Sequence, residues 1–218
     1  MATTTTAPEA PISDPLASLD MGYGQSKHAA ERLLTAAIKV SGIPVSIIRV
    51  CQLGGPSPGK PGKWTDQAWL SALIRTVRTT KCIPENVTAI NWVPVDVAAE
   101  MIRDLITRPV QQEAQFYHIC HPRPQRWELL VDILREFLGV ADTVPLKEWT
   151  KKLRDIEDPS VEDIARVPAL TMLDFLEELG DGTESATYAT DQAIRYSKTS
   201  IPALNGEMLR NWVSSWNL

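Results

Sequence analysis

The sequence contains no glycine-rich phosphate-binding motif, since neither Gly-x-Gly-x-x-Gly nor Gly-x-x-Gly-x-x-Gly occurs in its 218 residues. The turn that commonly holds the phosphates of a dinucleotide is therefore missing. The sequence also has no cluster of lysines and arginines, and its net charge is −5. This charge argues against nucleic acid or an anionic membrane as the main partner.

Long apolar runs and secretion signals are absent as well. No run is long enough to span a bilayer, and the N-terminus has no basic region followed by an apolar one. The three cysteines, Cys51, Cys82 and Cys120, stand at wide spacings. An odd number at such spacings is typical of buried thiols in a reduced, cytoplasmic setting. No Cys/His group has zinc-binding spacing, so no metal site is predicted.

The residues that are present indicate an α/β domain with a helical appendage. Hydrophobic residues make up 44% of the chain and charged residues 22%, which is ordinary for a globular protein. Residues 1–20 are rich in Thr, Pro, Ser and Asp, and predict a disordered lead-in. Residues 21–120 predict the α/β part and residues 121–218 a mainly helical part.

A helix, a glycine turn and a strand follow one another early in the chain. Apolar residues recur at helical spacing over residues 26–41, and Gly42 is a natural stop. Residues 45–50, VSIIRV, predict a buried parallel strand. Residues 51–56, CQLGGP, leave its C-terminal end, where open α/β sheets bind ligands. Their two glycines would allow close approach to a flat ligand, although for Gly-Gly-Pro alone a plain turn is the more common explanation.

Helices dominate the prediction further along the chain. A strand is predicted over residues 115–120, and residues 81–89 are predicted as a loop. The predicted helices cover residues 64–79, 126–138, 147–155, 160–166, 169–179 and 205–216.

Tyr23 and Lys27 stand one helical turn apart at the start of the first helix. Side chains at i and i+4 share a helix face, and this face is in line with the apolar stripe. A lysine without a chemical task belongs on the wet face, so the pair indicates a cleft or a core edge. Alone the motif is weak, because a Tyr-x-x-x-Lys arises by chance in roughly a quarter of such sequences.

Residues 22–31, GYGQSKHAAE, resemble the active-site helix of extended short-chain dehydrogenases. They more closely resemble the thioester-reductase domains at the end of fungal nonribosomal peptide synthetases and of related carboxylate reductases. Further stretches of this resemblance are residues 49–56, 62–64, 92–98, 117–122, 190–193 and 212–213. The resemblance implies the C-terminal portion of an NAD(P)-binding Rossmann-like short-chain dehydrogenase fold with a mainly helical substrate appendage.

The resemblance also implies a chemistry. Members of the family take an acyl chain held as a thioester on a carrier protein, deliver hydride from NADPH, and release an aldehyde or an alcohol. Tyr23 would be the acid/base, because a proton donor stabilises the oxygen that gains charge. Lys27 would support it and hold the nicotinamide ribose. The loop that would lie against the nicotinamide consists of Cys51, Gln52, Leu53 and Gly54.

One departure from the family is large, because only 22 residues precede the tyrosine and the cofactor-binding half is missing. The face that carries Tyr23 and one edge of the strand at residues 45–50 should then lack cover. We therefore expect a complementing chain, self-association or low stability. Two alternatives stay open beside a reductase: a redox-independent Dieckmann- or aldol-type cyclisation or condensation enzyme, and a non-catalytic remnant or docking module.

Overall fold

The computed structural model describes residues 6–14, 22–109, 111–180 and 187–216. The chain forms two compact units, each assembled from three segments. The first unit consists of described residues within Met1–Leu53, Trp92–Pro122 and Ala186–Pro202. The second consists of those within Gly54–Asn91, Arg123–Ser185 and Ala203–Leu218. This division differs from the single boundary predicted near residue 120, because contacts between distant segments override their order in the chain.

The strands are short. They are β1 (Thr6–Ala7), β2 (Ser46–Val50), β3 (Leu53–Gly54), β4 (Cys82–Glu85), β5 (Val93–Pro94), β6 (Gln115–Ile119), β7 (Asp142–Pro145) and β8 (Thr187–Tyr188). The helices are α1 (Gly22–Ser41), α2 (Ala68–Thr80), α3 (Val95–Ile106), α4 (Glu128–Leu138), α5 (Leu146–Arg154), α6 (Val161–Arg166), α7 (Leu173–Gly180), α8 (Asp191–Tyr196) and α9 (Gly206–Ser214). A 3-10 turn covers Pro168–Met172.

Two parallel strands form the centre of the first unit. β2 pairs with β6 from Ser46 opposite Gln115 to Val50 opposite Ile119. Within the described residues β6 is the only strand beside β2. The predicted parallel strand is thus present, and one of its edges has no strand partner in this part of the chain. The buried cluster around β6 consists of Val93, Val97, Ala98, Met101, Leu105, Tyr117, Ile119 and Ala193.

Helix α1 buries very little of its surface. Ile38 is its only buried residue among the 20. Leu33 is 72% exposed, Leu34 45% and Val40 88%. The helix is the predicted one, extended by one turn at its start, but its apolar residues face outward. An apolar helix face of this kind is expected to have another surface against it.

The N-terminal segment is held by the carboxylate of Glu9, which is buried. The Glu9 oxygens accept hydrogen bonds from the backbone N–H groups of His118 at 3.0 Å, Gln192 at 2.6 Å and Ala193 at 3.0 Å. β1 also pairs in parallel with β8. Residues 6–14 therefore make specific contacts where the sequence predicts a disordered lead-in, because a single buried carboxylate leaves no compositional signal. The remainder of that lead-in, residues 1–5 and 15–20, lies outside the described residues.

The second unit is mainly helical and includes a parallel strand pair of its own. β4 pairs with β7 from Cys82 opposite Asp142 to Glu85 opposite Pro145. The sequence predicts a loop at β4, since a four-residue strand containing a proline has almost no pattern of its own. Two indoles secure the pair, with Trp127 donating to the Pro84 oxygen at 2.9 Å and Trp149 to the Cys82 oxygen at 3.1 Å.

Candidate active site

Tyr23 and Lys27 lie in the first two turns of α1 and contact each other. The Lys27 Nζ stands 5.2 Å from the centroid of the Tyr23 ring. The tyrosine is 72% exposed and the lysine is exposed as well. Both polar groups are therefore free to reach a ligand, and neither is a buried packing residue.

Tyr23 and Lys27 lie towards the C-terminal end of β2, because α1 and β2 run in opposite directions. Gly42 ends α1 with a φ of 67°, a left-handed conformation that suits glycine, and β2 then returns antiparallel to the helix. Glu31 of α1 and Arg49 of β2 form an ion pair at 2.7 Å, so these two residues lie side by side. Tyr23 precedes Glu31 by two turns, about 12 Å along the helix axis. The tyrosine thus extends beyond the strand end.

The loop after β2 is anchored to neighbouring strands. The Cys51 N–H donates to the Ile119 oxygen at 3.0 Å, and the Val93 N–H donates to the Gln52 oxygen at 3.2 Å. Cys51, Gln52 and Leu53 are all partly exposed. Three of the four predicted cofactor-loop residues therefore lie at the strand end towards which Tyr23 extends.

Cys51 and Cys120 are joined by a disulfide. The expectation of reduced thiols is wrong for this pair, while Cys82 is free and partly exposed. The reason is the parallel register of β2 and β6, which brings the residue after each strand to a Cα–Cα distance of 5.1 Å. Such a distance suits a disulfide, and a sequence separation of 69 residues gives no sign of it.

Gly54, the fourth predicted loop residue, belongs to the second unit and packs against an indole there. A Cβ placed on Gly54 would lie 2.2 Å from the Trp212 ring, and one on Gly55 would lie 2.5 Å from it. The Trp212 Nε1 donates to the Pro56 oxygen at 2.9 Å. The close approach that these glycines permit is thus used by a tryptophan of the same chain.

Arg49 is the residue that the sequence reasoning missed. Its guanidinium donates to both Glu31 oxygens at 2.8 and 2.7 Å, and to the backbone oxygens of Pro8 at 3.2 Å and Ala10 at 3.1 Å. It also stands over the Phe116 ring at 5.1 Å. An arginine inside the apolar run VSIIRV was the available signal, because a half-buried cation in a strand requires partners.

His118 is structural. It is buried, its Nδ1 lies 2.8 Å from the Ala189 oxygen, and its Nε2 lies 3.0 Å from Arg49 Nη1. The carbonyl can only accept and the guanidinium can only donate, which fixes a neutral ring protonated at Nδ1. Burial lowers the pKa of His118, and the Arg49 charge adds to this. Trp64 and Trp92 are buried too.

Two kinds of site are not found. Among the described residues no group of three metal-ligating side chains occurs. In the same part of the chain, no helix combines the length and the apolar character needed to cross a membrane.

Comparison with known proteins shows which chains this one is similar to. A family model of NAD-binding domains, described as male sterility protein, matches residues 4–102. A carboxylic acid reductase of Neurospora crassa is 29% identical over 96% of this chain and 21% of its own length. The adenylate-forming reductase Nps10 of Heterobasidion annosum is 31% identical over 88% of this chain and 17% of its own.

A solved structure shares the fold of this chain. The terminal R domain from the myxalamid PKS-NRPS biosynthetic pathway superimposes with a TM-score of 0.76 at 23% identity, and 98% of this chain matches 54% of that one. The chain is a relative of the thioester-reductase domains. Its mixed α/β architecture with parallel strands is the Rossmann-like arrangement expected from the sequence. The chain spans about half the length of that R domain and about a fifth of the length of the two curated relatives.

The residues of the chain fit the nicotinamide end of a nicotinamide dinucleotide and do not fit its phosphate end. Lys27 and the partly exposed loop at Cys51–Leu53 offer a cation and backbone groups near the predicted acid/base. The sequence has no glycine turn for the phosphate end. Gly54 and Gly55 cannot take that place, because they are packed against Trp212. A further polypeptide segment would have to hold the phosphates.

Proposed function

We propose that the chain is the catalytic half of an NADPH-dependent reductase acting on a carrier-bound acyl thioester or aldehyde. The observation that carries this proposal is the Tyr23–Lys27 contact of 5.2 Å at the start of α1, beyond the C-terminal end of β2. That strand end is where sheets of this class bind ligands. The names of the relatives, carboxylic acid reductase and adenylate-forming reductase, support the same reaction class.

The proposed chemistry uses few groups of the chain. NADPH, when bound, supplies the hydride that attacks the carbonyl carbon. Negative charge then grows on the carbonyl oxygen, and the Tyr23 hydroxyl donates a proton to it. Lys27 stabilises the tyrosinate that remains and holds the nicotinamide ribose. With a thioester, the product of this step is a hemithioacetal. Its hydroxyl then returns its proton to the Tyr23 oxygen as the carbon–sulfur bond breaks, and the leaving sulfur takes a proton from solvent, which gives an aldehyde and the thiol of the carrier.

This chemistry requires cover over α1. Tyr23 at 72% exposure stands in water, where the stabilisation of a developing charge is weak. A neighbouring layer of strands and helices would cover the exposed α1 face, with Leu33 and Leu34, and the edge of β2 that has no strand partner among the described residues. We propose that this layer is a dinucleotide-binding segment, whether in the same or in a separate polypeptide.

Self-association of these 218 residues alone would not complete the site. A second copy has the same sequence and so brings no Gly-x-Gly-x-x-Gly turn. A homo-oligomer could cover α1, but it would still lack the groups that hold the phosphates. The complementing segment must therefore differ in sequence from these 218 residues.

A redox-independent enzyme is the second candidate. The missing phosphate turn favours it, because cyclisation or condensation needs no dinucleotide. Tyr23 would then move a proton to or from an enolisable acyl thioester, with Lys27 beside it. A docking module without catalysis would use neither residue.

The deciding experiment measures NADPH binding by fluorescence titration. The chain is tested alone and mixed with the N-terminal half of a thioester-reductase domain. We expect no saturation up to about 1 mM NADPH for the chain alone, and a Kd at least about tenfold lower in the mixture. Micromolar binding by the chain alone would contradict the missing phosphate site, and an absence of binding in both samples would favour the redox-independent enzyme.

Variants then test the roles of the pair in the complemented protein. Tyr23→Phe should lower kcat for an acyl-thioester substrate by about 10²- to 10⁴-fold, the usual worth of a positioned acid/base. Tyr188→Phe is the matched control, since Tyr188 lies on β8 and its ring packs edge-on against His118. Full activity of Tyr23→Phe would exclude the proton-donor role.

A further inference from the structure

We propose that Cys51 and Cys120 form a reversible thiol–disulfide site that exchanges with small thiols of the glutathione class and controls the mobility of the loop after β2. The structure joins the two residues by a disulfide at the C-terminal ends of β2 and β6. The bond itself and its effect on mobility stand independently of the reaction proposed above. Only its consequence for the cofactor rests on the proposed function.

The position of the bond makes it dispensable for the fold. β2 and β6 are already paired over five residues, and the Cys51 N–H extends the ladder to the Ile119 oxygen. Breaking the disulfide therefore leaves the strands together. What it loosens is the segment beyond them, where the Gln52 oxygen accepts a hydrogen bond from the Val93 N–H and β3 pairs with β5.

The two cysteines differ in exposure, and we expect this difference to set the order of the exchange. Cys120 is 2% exposed, whereas Cys51 is partly exposed. A glutathione thiolate therefore attacks the Cys51 sulfur, and the Cys120 thiolate leaves. A second glutathione thiolate then attacks the glutathione sulfur of the mixed disulfide, which frees the Cys51 thiolate. Two glutathiones are oxidised to one disulfide, the protein disulfide gains two electrons, and two protons from solvent complete the thiols.

The loosened segment, residues 51–53, is the first part of the predicted nicotinamide loop at residues 51–54. In the oxidised protein it is tied at Cys51 by the disulfide and at Gln52 by Val93. In the reduced protein the covalent link is lost, while the hydrogen bonds from Cys51 to Ile119 and from Val93 to Gln52 remain, as does the pairing of β3 with β5. Local opening of the loop should then cost less free energy, so its amides should exchange with solvent faster.

The first experiment is a redox titration of the full chain in glutathione buffers from strongly reducing to strongly oxidising. After acid quenching and alkylation, peptide mass spectrometry reports each cysteine. We expect Cys51 and Cys120 to pass together from alkylated to linked, while Cys82 stays alkylated throughout. A pair that never links, or that stays linked in excess reduced glutathione, would overturn the proposal.

The second experiment is hydrogen exchange of the oxidised and reduced protein, without any cofactor. We expect the amides of residues 51–53 and of Val93 to exchange about tenfold faster on reduction, with the β2–β6 ladder unchanged. Equal exchange in both buffers would overturn the control of mobility. Because the two samples differ only in redox buffer, this test needs no variant to fold.

Single variants test the order of attack. Cys120→Ser should form a glutathione adduct at Cys51 at least about fivefold faster than Cys51→Ser forms one at the buried Cys120. Cys82→Ser is the matched control and should keep the disulfide transition of the parent chain. Equal adduct rates for the two variants would contradict the assigned order.

The complemented protein then shows the consequence for the cofactor. We expect its Kd for NADPH to differ between oxidising and reducing buffer, with Cys82→Ser behaving as the parent. A Kd that is the same in both buffers would overturn the link between the loop and the cofactor. Absence of NADPH binding in both buffers would refute the proposed function and that link, whereas the titration and the exchange measurements would still decide the disulfide site.

Discussion

Arg49 donates to both carboxylate oxygens of Glu31, at 2.8 and 2.7 Å, and this paired contact joins α1 to β2. Each side chain is about one fifth exposed, so the pair is shielded from solvent more than a surface ion pair. Since α1 buries only Ile38, the position of Tyr23 and Lys27 depends on this contact more than on apolar packing.

Replacement of Arg49 should therefore destabilise the first unit. Arg49→Met removes every donor to Glu31, Pro8, Ala10 and His118, and leaves a half-buried carboxylate unpaired. We expect a loss of about 2–4 kcal/mol in the free energy of unfolding, measured by urea denaturation. Arg75→Met is the control, because its partner Asp66 is as exposed as Arg75 itself, and it should cost under about 0.5 kcal/mol. Equal losses for the two variants would contradict the anchoring role.

Glu9 should prove essential for attachment of the N-terminal segment. Its two oxygens accept three backbone hydrogen bonds, from His118 at the middle of β6 and from Gln192 and Ala193 at the start of α8. Glu9→Gln keeps one acceptor oxygen and places an NH₂ group against N–H donors, so we expect a loss of about 1–3 kcal/mol. Limited proteolysis should then cut residues 6–14 faster, whereas the exposed Glu113→Gln should leave both measurements unchanged.

Alanine at Gly54 should be poorly tolerated. The added Cβ would meet the Trp212 ring at 2.2 Å, and no shift of a flexible side-chain end can relieve that contact. We expect a loss of about 3 kcal/mol or more in the second unit, read from the urea midpoint. Gly206→Ala is the matched control, because its Cβ would stand 3.5 Å from Leu129 in ordinary contact. A Trp212→Leu background that restores Gly54→Ala would identify the indole as the obstacle.

Acid should weaken the first unit through Asp104. The Arg103 guanidinium beside it, the Lys198 N–H and the hydroxyls of Thr199 and Ser197 lower the pKa of Asp104 to about 2. Because the folded pKa lies below the unfolded one, the stabilisation is complete above about pH 5 and is lost as the pH falls through about 4 towards 2. Urea midpoints of the parent and of Asp104→Asn should therefore differ at pH 7 and converge near pH 2. A difference that stays constant with pH would contradict this, and the exposed Asp132→Asn should match the parent throughout.

The sequence predicted the elements that have their own periodicity. Helix α1, strands β2 and β6 and helices α4, α5 and α9 occur within a few residues of the prediction, because apolar spacing and the glycines after α1 and α4 define them locally. β4 was missed because it exists only by pairing with β7. The catalytic and cofactor roles of Tyr23, Lys27 and the loop at residues 51–54 remain predictions.

The parts of the site that could not be predicted depend on distant contacts. Cys51 and Cys120 become neighbours only through the register of β2 and β6, and Trp212 reaches Gly54 across most of the chain. Arg49 was readable as an isolated cation in an apolar strand, but its partners were not. The local sequence pattern predicts the helices and strands, whereas the contacts between distant side chains become apparent only in the folded structure.

Three tryptophans of the second unit lie close enough together for their electronic transitions to couple. Trp64 and Trp216 are stacked at a centroid distance of 4.3 Å with their planes 20° apart, and Trp212 stands 5.6 Å from Trp64. Transition dipoles of indoles this close are coupled, so their near-ultraviolet circular dichroism is split and their emission is shared. The near-ultraviolet circular dichroism and the fluorescence of these indoles therefore report, without any added dye, whether α9 is packed in its native position.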